Sequence, residues 1–250
     1  MKILIAAPIR QDEETFKLYL DSLDKLEIPE SVTVDRFFIF HNSQNLIPLV
    51  DCNFGVLETN DEYPRTEGNH AWTTKHIANI IRMKNTISRY MLERGYDYVF
   101  MVDSDLILHP KTLVALLEAE KDIVAEIFWS VWNKEFGPTP NCWMYDSYEG
   151  VNRENVAVWV KPGLYRVGMT GACILIHRRV FEAGVNYNDI YNISFTGEDR
   201  LFGIRAACSG FELWIDTNYP CIHVDRPSEL EKYKRGELKH APPQRDAAKK

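Results

Sequence analysis

The sequence has no CxxC pair, and its five cysteines (Cys52, Cys142, Cys173, Cys208 and Cys221) are odd in number and widely spaced. A disulfide framework is not what such spacing specifies, and Cys173, inside an apolar run, is expected as a reduced, buried thiol. A reducing, cytoplasmic compartment is the expectation. Long apolar runs are also missing. Residues 3–9 are too few to span a bilayer or to form a typical signal sequence, so no transmembrane segment is expected and membrane contact is limited to a peripheral one. Positive charge is in deficit, with 29 basic against 36 acidic residues and a net charge of −7. That excludes a general nucleic-acid binder, which needs a basic footprint. No GxxxxGK[ST] exists, which excludes a P-loop enzyme. No internal repeat is visible. What remains is an ordinary globular composition over 250 residues, 45% apolar and 26% charged, long enough to bury a core without staples.

Residues 2–8 form an apolar run closed by Pro8 and read as a buried parallel strand. Residues 11–25 place Phe16, Leu18, Tyr19, Leu20 and Leu23 behind early acids, a helix pattern. Residues 32–41 include Phe37, Phe38, Ile39 and Phe40 and read as a second strand, with a short third at 56–60. Residues 73–95 are the clearest helix, because Ile77, Ile80, Ile81, Ile87 and Met91 recur at helical spacing and Gly95 ends it. Residues 98–102 form a strand that runs into Asp103. Further helices are predicted at 111–120, 178–183 and 198–209, and strands at 123–128, 172–176 and 211–216. The stretch 129–170 has no long periodic segment. Strand–helix alternation over the first 110 residues predicts a parallel sheet with crossover helices. Ligands bind beyond the carboxyl ends of such strands. Pro8 and Arg10, His41 to Ser43, and Asp103 to Asp105 all follow strand ends, so all three segments are predicted to share one rim.

Asp103-Ser104-Asp105 is the sharpest motif. In an extended chain, residues two apart project to the same side. Two like charges held together raise each other's pKa unless a cation lies between them. Hard oxygen ligands suit Mg2+ or Mn2+. The plainer alternative is a turn with a helix cap. Glu198 and Asp199 open a helix, where the dipole already favours acids; the functional alternative is a general base for an acceptor hydroxyl. His223, just past an apolar strand, is either a structural histidine or a metal ligand. Arg82, Lys84 and Arg226 are candidate phosphate or base contacts, although helical cations are mostly solvated. Trp129, Trp132, Trp143 and Trp159 are candidate acceptor contacts through ring stacking, against ordinary core packing.

The order of strand plus Asp-x-Asp, Gly-Glu-Asp plus helix, and apolar strand plus His resembles the nucleotide-sugar glycosyltransferases of the GT-A fold, in a family-2-like form. Gly203 to His223 is also similar to the mannosyltransferases that use GDP-mannose. The resemblance implies an α/β fold with a Rossmann-like, mostly parallel central sheet flanked by helices and a smaller mixed acceptor-side part. It implies one domain over 1–226, with a nucleotide-sugar half at 1–110 and an acceptor half at 111–226. Residues 227–250, more basic than the body, are expected as a disordered tail. It further implies Asp105 and His223 as metal ligands, and Asp103 as a contact to ribose or to the metal. Asp199 becomes the catalytic base, with Glu198 beside the acceptor. Pro8, Arg10, Arg82, Lys84, Asp103, Ser104 and Arg226 become the nucleotide-sugar contacts. The implied reaction moves a sugar from a nucleoside-diphosphate sugar, UDP ahead of GDP, to a hydroxyl on a carbohydrate, lipid-linked or protein acceptor, with Mn2+ or Mg2+. The first loop, Ala7 to Arg10, departs from the Asn/Glu pattern of the large inverting family. The rival readings are a sugar-phosphate nucleotidyltransferase, which usually carries a glycine-rich first loop absent here, and a non-catalytic carbohydrate-binding protein, which leaves the clustered acids without a purpose.

Overall fold

The computed structural model describes residues 1–61, 73–133, 137–143, 156–193 and 197–243. In chain order these form β1 (Lys2–Ile9), α1 (Glu13–Asp24), β2 (Thr33–His41), a 3-10 turn (Gln44–Leu49), β3 (Asn53–Leu57), α2 (Thr74–Glu93), β4 (Tyr98–Val102), β5 (Leu106–Ile107), α3 (Thr112–Glu118), β6 (Ile123–Asn133), β7 (Gly137–Pro140), β8 (Cys142–Trp143), α4 (Val156–Trp159), β9 (Leu164–Val167), β10 (Met169–Thr170), β11 (Cys173–His177), α5 (Arg178–Glu182), α6 (Glu198–Cys208), β12 (Leu213–His223) and α7 (Pro227–Lys234). The main sheet runs β3-β2-β1-β4-β11-β6-β12-β5, with β7 on β6 and β9 on β12. Strands β3, β2, β1 and β4 are all parallel, as the alternation predicts. Strand β11 runs antiparallel between β4 and β6, and β12 returns parallel to β6.

Strand alternation divides the core into two layers. From β1, Ile3, Ile5, Ala7 and Ile9 face one layer, while Leu4 and Ala6 face the other. The first layer receives Phe16, Tyr19 and Leu23 from α1 and Leu113 and Leu116 from α3. The second receives Ile77, Ile81, Ile87 and Met91 from α2, with Val180 and Phe181 from α5 and Leu201 and Phe202 from α6. Helices therefore cover both sheet faces. Each fully buried Phe or Ile contributes about 1.5–3 kcal/mol over leaving it in water. Helix α1 starts where the Asp12 side chain accepts a hydrogen bond from Thr15 N at 2.8 Å. Helix α2 starts on the Thr73 hydroxyl and ends before Gly95, whose φ of 71° suits glycine.

Three differences from the sequence expectation have local causes. Strand β12 continues to His223, past Pro220, because its register against β6 shifts between Asp216 and Cys221. An irregularity there tolerates a residue with no N–H to donate. Strand β6 extends to Asn133 because β7 pairs with its far half. The tail expected to lack order instead forms α7 over Pro227–Lys234. Pro227 opens that helix, Glu229 sits in its first turn, Lys232 and Lys234 sit in its last, and Leu230 is buried. Lys234 also pairs with Glu14 on α1 at 2.6 Å, so a basic segment docks on an acidic one. Residues 244–250 lie outside the described residues. No described helix is long and apolar enough to cross a membrane, and all five cysteines are free.

Candidate active site

The strand order reverses at β1, with β2 on one side and β4 on the other, which opens a crevice at their carboxyl ends. A cavity of about 1100 Å3 occupies it. Pro8 and Arg10, His41 to Ser43, and Asp103 to Asp105 all line this cavity, as the rim argument predicts. Glu198, Asp199 and Arg200 enter from the first turn of α6, and His223 and Asp225 from the end of β12.

A short ladder brings His223 to the Asp-Ser-Asp segment. Strand β5 follows Asp105 directly, and Leu106 pairs with His223. Val224 N donates to Asp105 O at 2.8 Å. His223 Nε2 then lies 3.4 Å from Asp105 Oδ2. Its Nδ1 lies 2.5 Å from Ser130 Oγ on β6, an arrangement that leaves Nε2 for the carboxylate side. Burial works against the imidazolium, but Asp105 beside it prevails and raises the His223 pKa. Asp103 is pushed up to about 7, first by burial and then by the crowding of Asp105, Asp199 and Glu198, with Lys84 opposing. A divalent cation would relieve this crowding, and an imidazole with carboxylates is a suitable donor set for Mn2+ or Mg2+. Among the described residues, no group of three His, Cys, Asp or Glu forms a cage by itself. Asp105 and His223 could therefore hold a cation only with further ligands from outside the protein, the usual situation for Mg2+-type ions.

Asp199 also lines the cavity. Lys84 from α2 donates to Asp199 Oδ1 at 2.9 Å and to Glu198 Oε1 at 2.8 Å. Burial raises the Asp199 pKa to about 6, with Lys84 holding it down against Glu198. At neutral pH the carboxylate is ionised and close enough to its pKa to accept a proton. The loop before β11 closes against it. Gly171 O accepts from Asn141 Nδ2 at 3.0 Å and from Cys173 N at 2.9 Å, and Ala172 between them has a φ of 69°. A non-glycine residue in that region is strained and is found mostly where a site requires it.

The remaining end of the cavity is a polar network. Arg10 donates to Asp61 O at 2.8 Å, His41 Nε2 meets Thr59 Oγ1 at 2.9 Å, and Asn42 exchanges hydrogen bonds with Thr59. Burial first, and then the Arg10 charge, lower the His41 pKa to about 4, so His41 is neutral at physiological pH. Asn42 has a φ of 49°, which its short amide side chain tolerates.

Several expected contacts lie elsewhere. Lys84, expected at the phosphates, is buried against Glu198 and Asp199 instead, because α2 packs its face onto α6. Arg82, on the exposed side of α2, does not line the cavity. Arg226 is buried, donates to Val131 O at 2.6 Å, and does not line the cavity either. Among the described side chains of the four tryptophans, only that of Trp143 is on the cavity wall. Trp159 is a core residue at 3% exposure, and Trp129 packs beside the same core. The Trp132 side chain lies outside the described residues. Phe128, Asn141, Gly171 and Arg200 line the cavity without having stood out in sequence. Only Arg200, one residue past the Glu-Asp pair, carried a usable signal.

The chain matches the model of the glycosyltransferase family 25 N-terminal domain over residues 2–215. It is 23% identical to procollagen galactosyltransferase 2 of Homo sapiens over 195 residues, which is 71% of this chain and 30% of that protein. The structure of GalNAc-T7 with UDP, GalNAc and Mn2+ superimposes with a TM-score of 0.57 at 12% identity, over 89% of this chain and 43% of the other. The mannosyltransferase PcManGT from Pyrobaculum calidifontis, in complex with GDP-Man and Mn2+, gives 0.52 at 12% identity, over 96% and 66%. The chain thus spans under a third of the length of its human relative. With the family match running from β1 into β12 and the sheet shared with both solved structures, the chain belongs to glycosyltransferase family 25 and has the GT-A fold.

Proposed function

We propose that this protein transfers a sugar from a nucleoside-diphosphate sugar, a UDP-sugar first and a GDP-sugar second, to an acceptor hydroxyl in a metal-dependent reaction. The observation that carries the proposal is one cavity lined both by a cation-fitting pair, Asp105 and His223, and by a carboxylate held by Lys84, Asp199. The human relative is named a galactosyltransferase, and the two solved structures hold UDP or GDP-Man with Mn2+. These likenesses support the donor class and the metal.

The nucleoside end belongs at the Arg10, His41 and Asn42 network, where a neutral imidazole and an amide offer hydrogen bonds to base and ribose. The diphosphate belongs near Asp103 and Asp105. Asp105 and His223, with Asp103 beside them, would hold a divalent cation there, and its chemistry would be Lewis-acid neutralisation of charge on the diphosphate. Asp199 accepts the acceptor hydroxyl's proton as that oxygen bonds to the anomeric carbon and the sugar–phosphate bond breaks. That is its role in an inverting transfer; in a retaining one, it orients the same hydroxyl. Trp143 and Phe128 supply apolar surface for the acceptor.

The test is thermal stability against UDP, GDP, CMP and ATP, each with Mn2+, Mg2+ or EDTA. A ligand that binds only the folded state raises stability by mass action. A metal-dependent rise with UDP or GDP is expected. A rise confined to a triphosphate points to nucleotidyl transfer, and no rise with any of them overturns the proposal. Asp199→Asn is expected to keep the nucleotide shift and lose transfer.

A further inference from the structure

Lys84 is 3% exposed, midway along α2, and its ammonium is shared between two carboxylates of α6. Tyr187 covers it, with the ring centroid 5.5 Å from Nζ. The other side of Asp199 is bounded by bare backbone. A Cβ placed on Gly171 would stand 2.1 Å from Asp199 Oδ2, well inside any real contact. Gly171 does not have a positive φ, so its lack of a side chain serves space and not backbone conformation. It cannot easily retreat, because Asn141 and Cys173 both donate to its carbonyl.

From this arrangement we infer that Lys84 and Gly171 are positioning residues that clamp Asp199 from two sides. Lys84 takes Oδ1 and fixes the plane of the carboxylate. Gly171 leaves the space that Oδ2 occupies at the cavity wall. The oxygen that meets the acceptor hydroxyl is thereby Oδ2, with its lone pairs unspent on Lys84. Asn141, from the turn between β7 and β8, joins the clamp to the acceptor side by holding Gly171 and by accepting from Phe128 N at 2.9 Å. The inference rests on the reading of Asp199 as the group that faces the acceptor. Geometry of this kind matters because a misplacement of about 1 Å can cost about a hundredfold in rate.

The experiment compares Lys84→Met, Lys84→Arg, Gly171→Ala and Asp199→Asn with the unaltered chain. Turnover is read as UDP release from UDP-galactose and GDP release from GDP-mannose, both with Mn2+. Nucleotide affinity is measured separately by titrating UDP or GDP with Mn2+. The clamp predicts that kcat falls at least thirtyfold in Lys84→Met and in Gly171→Ala, while KM for the donor and nucleotide affinity stay within threefold. Lys84→Arg, which keeps the charge, recovers more of kcat than Lys84→Met. If Lys84→Met does not fold, Gly171→Ala decides, since it leaves every charge in place. Gly171→Ala with kcat within threefold of the unaltered chain overturns the clamp. So does a Lys84→Met variant that folds and turns over normally. Loss of turnover in Asp199→Asn alone leaves the assignment of the base standing while the clamp fails. Normal turnover in Asp199→Asn removes that assignment and the clamp with it.

Discussion

Replacing Lys84 with Met tests the energetics of the site apart from its chemistry. The substitution keeps the apolar stem and removes the ammonium, so Glu198 and Asp199, with side chains 11% and 30% exposed, are left facing each other without a cation. Removing one partner from a buried ion pair costs about 3–5 kcal/mol. Asp199 retains some access to water, which places the expected loss near the lower bound, about 3 kcal/mol. Unfolding entropy of about 2.1 cal/mol/K per residue gives a chain of this length about 0.5 kcal/mol/K, so the midpoint falls by about 6 °C. The loss also depends on pH. In the unaltered chain, burial opposes the charge on Lys84, but Asp199 and Glu198 prevail and raise its pKa, so its contribution persists across the neutral range. In the variant, the stranded carboxylates disfavour ionisation. Their penalty is absent below the ordinary carboxylate pKa and grows as pH rises through the raised value. Thermal melts at pH 5 and pH 8 should therefore show the larger loss at pH 8. A midpoint within 2 °C of the unaltered chain at both values would refute the reasoning.

Asp105→Ala should abolish the Mn2+-dependent part of the nucleotide-induced rise in melting temperature and leave the ligand-free melt nearly unchanged; a full rise in that variant removes Asp105 from the cation site. If Asp199 is the base, as proposed, its pKa of about 6 means that kcat/KM for transfer should fall about tenfold per unit as pH drops below 6, as a steady-state profile would show. Glu126, fully buried on β6, is driven well upward by burial first and Asp216 second, so folding becomes less favourable as pH rises above the ordinary glutamate value. Glu126→Gln should thus raise the melting temperature at pH 7, with the gain fading near pH 4. Phe16→Ala, which empties the layer between α1 and the sheet, should cost about 3–5 kcal/mol in a denaturant titration.

The parts of the site that were legible in sequence are those decided locally. Strand runs that end in Pro8, His41 and Asp103 announce their own carboxyl ends, and a parallel topology then gathers those ends on one rim. Asp103 to Asp105 and Glu198 with Asp199 stand out because acids interrupt apolar periodicity. The role of Lys84 was not legible. It lies on a helix whose pattern places it beside exposed Arg82, and its partners lie 114 and 115 residues away. Only packing of α2 on α6 converts a solvated-looking lysine into a buried counter-ion. The tryptophans illustrate the opposite failure: proximity in sequence over 129–159 does not survive folding, which sends Trp159 to the core and Trp143 to the cavity. The apolar run at 211–216 shows only the first part of β12, whereas a register shift carries the strand past Pro220 to His223.

The position of β12 has a consequence for how the molecule is made. It is the last described strand in chain order, yet it lies between β6 and β5. Until residues 213–223 leave the ribosome, β6 presents an open hydrogen-bonding edge and β5 has no partner on the sheet path. An unpaired apolar edge invites association with other chains. The same late strand delivers His223 to Asp105. Nascent chains halted before residue 213 should therefore be the aggregation-prone ones, and the ability to hold a cation with nucleotide should arise in the same event that seals the sheet.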